Sequence, residues 1–155
     1  MTRSLLLLLA LKILLIPGCE RRHNAELNTS NQANVYLKGT LLHLSYEEIN
    51  SIIKQTDNTL AEGEDRHKIK VTSDLINKIK ENEQFLEISF QNNRFVMTDK
   101  YGKIEFRKVM IPLSGQYAQP GSFTVFYGTS GYTDSPMICS NGYKELQELL
   151  IGMEY

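Results

Sequence analysis

Hydrophobic and polar positions along this chain divide it into segments of different period. The first 18 residues are apolar almost throughout, from Leu5 to Ile16, with Arg3 at the tip. Glu20 to Asn34 reads ERRHNAELNTSNQAN and holds one leucine, too little apolar surface to pack, so it reads as a flexible tether. From Val35 the pattern turns globular. Val35 to Leu44 is rich in branched and aromatic residues and predicts a strand interrupted by Gly39. The period then lengthens: Ile49, Ile52 and Ile53 fall on one helical face, with Ser45 and Glu48 spaced as a capping box, which predicts a helix from about Tyr46 to Gln55. The charged run after it, to Lys68, predicts a solvated loop. Ile69 and Val71 predict a short strand. A second helix follows, with Ser73 as its N-cap and Leu75, Ile76 and Ile79 on its inner face.

The middle of the chain alternates with period two. Leu86, Ile88 and Phe90 interleave with Glu87, Ser89 and Gln91, so one strand face is apolar and the other polar. Asn92-Asn93 suits a two-residue type I′ hairpin turn, which sets Phe90 opposite Phe95 and Ile88 opposite Met97. A loop over Asp99 to Gly102 then sets Met97 opposite Ile104 and Phe95 opposite Phe106. Beyond Phe106 the apolar phase moves to Val109, Ile111 and Leu113, which predicts a bulge or bend near Arg107-Lys108. Ser122 to Gly128 predicts another strand. A last helix is expected from about Asn141-Gly142 to Ile151, with Leu146, Leu149 and Leu150 as its buried stripe. Strands in runs, with helices before and after, predict an α+β fold: an antiparallel β-sheet, a meander, with two or three short helices packed on one face.

Length allows one such domain. The chain has 155 residues and a formal net charge of −1. Taking Arg3 and Lys12 away with the first 18 residues leaves 15 basic groups against 18 acidic ones, a charge of −3. No concentrated basic surface is visible, so nucleic acid is not an expected partner. The apolar leader is about 12 residues long, short of the ~20 that a membrane-spanning helix needs, and is read as a processing signal. Ile16-Pro17-Gly18-Cys19 resembles a bacterial lipobox: an aliphatic residue, a tolerant position and a small residue ahead of the cysteine. The resemblance covers only the first 20 or so residues. It implies a thioether-linked diacylglycerol on Cys19, cleavage after Gly18 and acylation, for instance by palmitate, of the new amino terminus. Glu20 in place of Asp after that cysteine resembles the Gram-negative sorting pattern for the outer membrane. The expected organisation is therefore a signal peptide over 1–18, a lipidated cysteine and tether over 19–34, and one globular domain over 35–155.

Candidate chemistry is sparse. Cys139 has no partner once Cys19 is acylated, and it reads as a small buried hydrophobe. His23, His43 and His67 show no metal-ligand spacing, so neither a metal nor another cofactor is expected. Ser51-Ile52-Ile53-Lys54 matches the Ser-x-x-Lys spacing of penicillin-binding enzymes, but Ser51 and Lys54 sit opposite the isoleucine stripe and the companion motifs are absent. Gly128-Thr129-Ser130-Gly131 is one residue short of a nucleophile elbow. Glu47-Glu48 and Glu62, Glu64 and Asp65 are simply read as a capping turn and an exposed loop. What stands out is the C-terminal third, where Tyr117, Tyr127, Tyr132 and Tyr143 cluster with Gly115, Gly121, Gly128, Gly131 and Gly142 in the loops beside the last strand. Tyrosine supplies large amphipathic contact area and glycine frees the backbone, a mixture found in binding surfaces; the same residues also serve as sheet-edge caps and turns. The expected function is a membrane-anchored, non-catalytic binding domain at the cell envelope, taking a protein or glycan partner through YGTSGYTDSP. The alternative is a small envelope hydrolase using a serine or Cys139.

Overall fold

The structure, a computed structural model, describes residues 33–119, 121–133 and 135–153. In chain order the elements are β1 (Ala33–Leu37), β2 (Thr40–Leu41), α1 (Tyr46–Ala61), β3 (Asp65–Arg66), α2 (Ser73–Asn82), β4 (Phe85–Thr98), β5 (Gly102–Pro112), β6 (Ala118–Gln119), β7 (Ser122–Gly128), β8 (Met137–Cys139) and α3 (Tyr143–Gly152). All strand pairs are antiparallel, in the order β2-β1-β4-β5-β7-β8-β3, with β6 added beside β7. The fold is α+β, with helices packed on an antiparallel sheet.

Strand alternation divides the interior into two cores, because neighbouring residues of a strand point to opposite faces. Leu86, Ile88, Val109, Ile111 and Val125 face α1 and α3 and join Ile52, Leu60, Leu146 and Leu150 in the larger core. Their neighbours Phe85, Met110 and Phe126 face the other way, against Ile76 and Ile79 of α2. Two helices therefore share one face, and the third covers the opposite one. That is why β7 buries every residue from Phe123 to Gly128.

The helices follow their caps. Ser45 accepts from the Glu48 N–H at 3.3 Å and its own N–H donates to the Glu48 carboxylate at 2.7 Å, a complete capping box. α1 runs to Ala61, six residues past the expected end, because Leu60, Thr56 and Thr59 continue its buried stripe and are 0–1% exposed. Thr72 caps α2 in place of Ser73, accepting from the Leu75 N–H at 3.2 Å. Ile69 and Val71 pack beside α2 as loop residues, and the short strand lies earlier, at β3. α3 starts at Gly142, whose φ of +88° and close approach to α1 both demand glycine: a Cβ there would collide with the Thr59 hydroxyl. Gly39 turns the expected first strand into the β1–β2 hairpin, with Lys38 and Gly39 both at positive φ.

The hairpin expected at Asn92-Asn93 does not form. β4 continues through that dipeptide, and its pairing with β5 slips between Ser89 and Arg94. Four residues, Phe90 to Asn93, stand where β5 has only Arg107, so the phase change anticipated near Arg107-Lys108 is real but its extra residues lie across the ladder, in β4. Side-chain bonds hold this bulge. Arg94 pairs with Asp57 of α1 at 2.7 Å and lies 5.1 Å from the Phe90 ring centroid, while Arg107 donates to the Phe90 carbonyl at 3.2 Å. Burial pushes the Asp57 carboxyl up, and Arg94 pulls against that shift.

The slip reverses the expected facing of the distal segment. Val96 pairs with Ile104 and points inward, whereas Phe95 and Met97 are 56% and 62% exposed. Unfolding by denaturant distinguishes the two registers. Phe106→Ala should cost about 3–5 kcal/mol, and Met97→Ala should stay within about 0.5 kcal/mol of the parent; comparable losses for both would contradict the register described.

Candidate ligand-binding clefts beside the Tyr127–Pro136 loop

Beyond the slip, β4 and β5 extend as a two-stranded arm. β5 pairs with β7 only at Lys108 to Met110, so among the described residues no strand covers the outer edge of Lys103 to Phe106. At the arm's tip, Tyr101 donates its hydroxyl to Asp65 at 2.8 Å, and the Lys100 ammonium donates to the Glu64 carbonyl at 2.8 Å. The arm is thus tied to β3, the far edge of the sheet order. These contacts, with the Arg66 backbone N–H bound to the same carboxylate, hold Asp65 below the ordinary carboxylate range; the largest share comes from that N–H.

The loop after β7 folds back tightly. The Thr133 N–H donates to the Tyr127 carbonyl at 2.8 Å, closing the turn. Gly128 is required here, since a Cβ would run into the Gly131 carbonyl. Thr129, Ser130 and Gly131 form an exposed apex. On one side of it lies a cleft of about 430 Å³, edged by Asn34, Ser89, Arg107 and Lys108. On the other lies one of about 440 Å³ between the arm and the loop, lined by Arg66, Lys103, Ile104 and Glu105. Both volumes fall within the roughly 300–1,000 Å³ usual for small-ligand sites. Thr129 and Ser130 line both.

The four tyrosines do not make one surface. Tyr127 is 5% exposed in the larger core, its hydroxyl reaching the Ser135 carbonyl at 3.4 Å, and burial raises its phenol. Tyr143, on the same side, donates to the Leu113 carbonyl at 2.7 Å and packs 5.0 Å from Phe123. Tyr117 and Tyr132 belong to the smaller core. Tyr117 meets the Phe126 ring edge-on at 5.3 Å. Tyr132 donates to Glu87 at 2.6 Å beneath the Lys108 ammonium, and burial with that carboxylate pushes its phenol far up. All four hydroxyl-bearing rings lean on their own sheet, and Tyr127 and Tyr132 reach the second cleft from its walls.

The rest of the lining includes the loop apex and four cations that the sequence pattern did not single out as site residues. Lys103, Arg107 and Lys108 come from the polar positions of β5, which the alternation marks as outward-facing. Arg66 comes from the charged run read as a solvated loop, and nothing local signalled that β3 would pair with β8 and carry it to the arm.

Of the candidate nucleophiles, Ser130 stands in the exposed apex, and Ser51 and Cys139 are engaged elsewhere. Ser51 donates back to the Glu47 carbonyl at 2.9 Å, beside a third cleft of about 630 Å³ between α1 and α3 that four glutamates line. Cys139 is 1% exposed and donates to the Thr59 carbonyl at 3.4 Å; burial, with Glu64 and Glu62 adding to it, pushes its thiol up to about 12. His67 shares a hydrogen bond with Thr124 at 3.3 Å. Cys19 and His23 lie outside the described residues, within which no helix is long and apolar enough to cross a membrane and no group of three or more metal-ligating side chains occurs.

Comparison with protein-family models, curated proteins and solved structures finds no match for this chain.

A thiol raised to about 12 carries almost no thiolate at pH 8. An alkylating reagent at that pH should therefore leave the Cys139 peptide unmodified in the folded chain and label it fully in denaturant, as read by peptide mass mapping. Rapid labelling of the native chain would show that the thiol is accessible and ionised.

Proposed function

We propose that this protein is a bacterial envelope lipoprotein, held in the membrane, outer by preference, through lipid on Cys19, whose α+β domain is a non-catalytic binding module. The observation that carries the binding reading is the position of the Thr129–Gly131 apex, standing between two clefts with cationic side chains at their edges. Loops fixed on a rigid scaffold are where recognition commonly resides, and here a glycine-dependent turn holds the apex against the end of β7. The engagement of Ser51, Cys139 and His67 in hydrogen bonds to their own fold also supports binding over hydrolysis, since a nucleophile needs a base within reach. Attachment at Cys19 rests on the lipobox resemblance. Partners suited to this surface are an envelope protein or glycan that brings polar and acidic groups to the apex.

Tyr127 and Tyr132 are poor positions for testing contact, because truncating either opens a core or breaks the bond to Glu87. Ser130 is exposed and suits a photo-crosslinking residue, with Lys54 on the exposed face of α1 as the control position. In intact envelopes, the Ser130 probe should trap a component that the Lys54 probe does not. Mass spectrometry of the same material should find a diacylated, N-acylated terminus at Cys19, and Cys19→Ser should move the chain out of the membrane fraction. An unmodified sulfur or a retained leader would remove the anchoring half of the reading; identical crosslinks from both probes would remove the binding half.

A further inference from the structure

Arg66 is the cleft residue whose side chain is least accounted for by the fold. It sits on a two-residue strand at the sheet's edge, half-buried, with its guanidinium carbon 4.4 Å from the Tyr101 ring centroid. This cation–π contact holds the guanidinium against the ring without using its N–H groups. Its Nε is buried and has no hydrogen-bond partner, and among the described residues no carboxylate lies within ion-pair distance of its charge. Asp65, the adjacent acid, is instead engaged by Tyr101, Lys100 and the Arg66 backbone N–H. A buried N–H donor without a partner costs on the order of 1–3 kcal/mol, which an acceptor reaching it from the cleft would relieve.

Arg66 shares the cleft of about 440 Å³ with Lys103, Thr129, Ser130 and Thr133. Lys103 lies 4.6 Å from the Phe95 ring centroid and has no carboxylate partner among the described residues. Glu105, the acid in the lining, accepts from Asn93 at 3.1 Å.

We infer that the cleft between the β4–β5 arm and the Thr129–Gly131 apex binds a terminal oxyanion, a carboxylate or phosphate on a small polar body, through the guanidinium of Arg66. A guanidinium can match two oxygens of such a group through its fork of N–H donors, which a lysine cannot reproduce. The threonine and serine hydroxyls suit a hydroxyl-bearing body behind the charge. This site rests on the proposal that the loop clefts are the domain's recognition surface, and it specifies the ligand's chemistry there.

The test uses the full chain extracted in detergent, in a buffer free of other multivalent anions, titrated with sodium glucuronate, sodium phosphate and, as the neutral control, glucose. Binding is followed by calorimetry and by NMR at the Arg66 Nε–H and the Gly131 amide. At least one anion should bind and shift both signals, and glucose should shift neither; which anion binds more tightly assigns carboxylate or phosphate. Arg66→Gln should weaken that binding about tenfold or more, the range expected for a lost charge-assisted hydrogen bond. Arg66→Lys should recover only part of it, and Lys144→Gln, on the exposed side of α3, should change nothing. Unfolding midpoints accompany each variant, and the NMR shifts of the parent need no variant at all. Absence of both shifts at tens of millimolar anion overturns the inference, as does equal binding of glucose or an Arg66→Gln variant that binds within twofold of the parent. If the anions fail while the Ser130 crosslink persists, the oxyanion site falls and the binding reading stands; if the crosslink is lost as well, both fall.

Discussion

The double-sided burial of β4, β5 and β7 is the constraint on which the architecture depends. Phe85 and Leu86, Val109 and Met110, Val125 and Phe126 are adjacent pairs in which each member is buried on a different face. A sheet of this kind is stable only if both faces are covered. The chain meets that demand asymmetrically: α1 and α3 together cover the larger core, and α2 alone covers the smaller one. α2 lies between β3 and β4 in sequence, yet in the sheet β5, β7 and β8 stand between those two strands, and the tip of the β4–β5 arm returns to β3 through Asp65, Lys100 and Tyr101.

The bulge in β4 decides the shape of the face that carries the clefts. A two-residue turn at Asn92-Asn93 would have produced a compact meander with Phe95 and Met97 inside. Carrying β4 on to Thr98 instead buries Val96, Ile104 and Phe106 in the larger core and lets Arg94 reach Asp57. It also projects the arm past the end of β7, so the edge of β5 and the returning loop separate and a cleft opens between them. The cleft is thus a by-product of strand register, and the ion pair that steadies the bulge acts on the site from outside it.

Within that frame the loop tyrosines have a structural part. Their rings clamp the loop to the sheet from both faces, and their hydroxyls are occupied by Glu87, Leu113 and Ser135. Clamping leaves the short apex of threonine, serine and glycine as the group presented outward. The tyrosines that make YGTSGYTDSP stand out in composition therefore anchor the segment to the sheet more than they face solvent.

Features encoded within a few neighbouring residues were legible in the sequence alone. The Ser45–Glu48 capping box, the isoleucine stripe of α1, the alternation from Leu86 to Phe90, β7 from Ser122 to Gly128 and the leucine stripe of α3 depend on local hydrogen bonds and on periods of 3.6 or 2. Four outcomes depended on partners far along the chain: the extension of α1 to Ala61, the path of β4 through Asn92-Asn93, the division of helices between two faces, and the meeting of Arg66 with the arm. Asparagine at a turn position is a weak preference, easily outweighed when buried packing on both sides and an ion pair 37 residues distant favour a continuous strand. Arg66 shows the same limit most plainly. Its charge is evident in the sequence, but its burial, its stacking on Tyr101 and its unpartnered Nε exist only because β3 pairs with β8, more than 70 residues later, and no local period records that pairing.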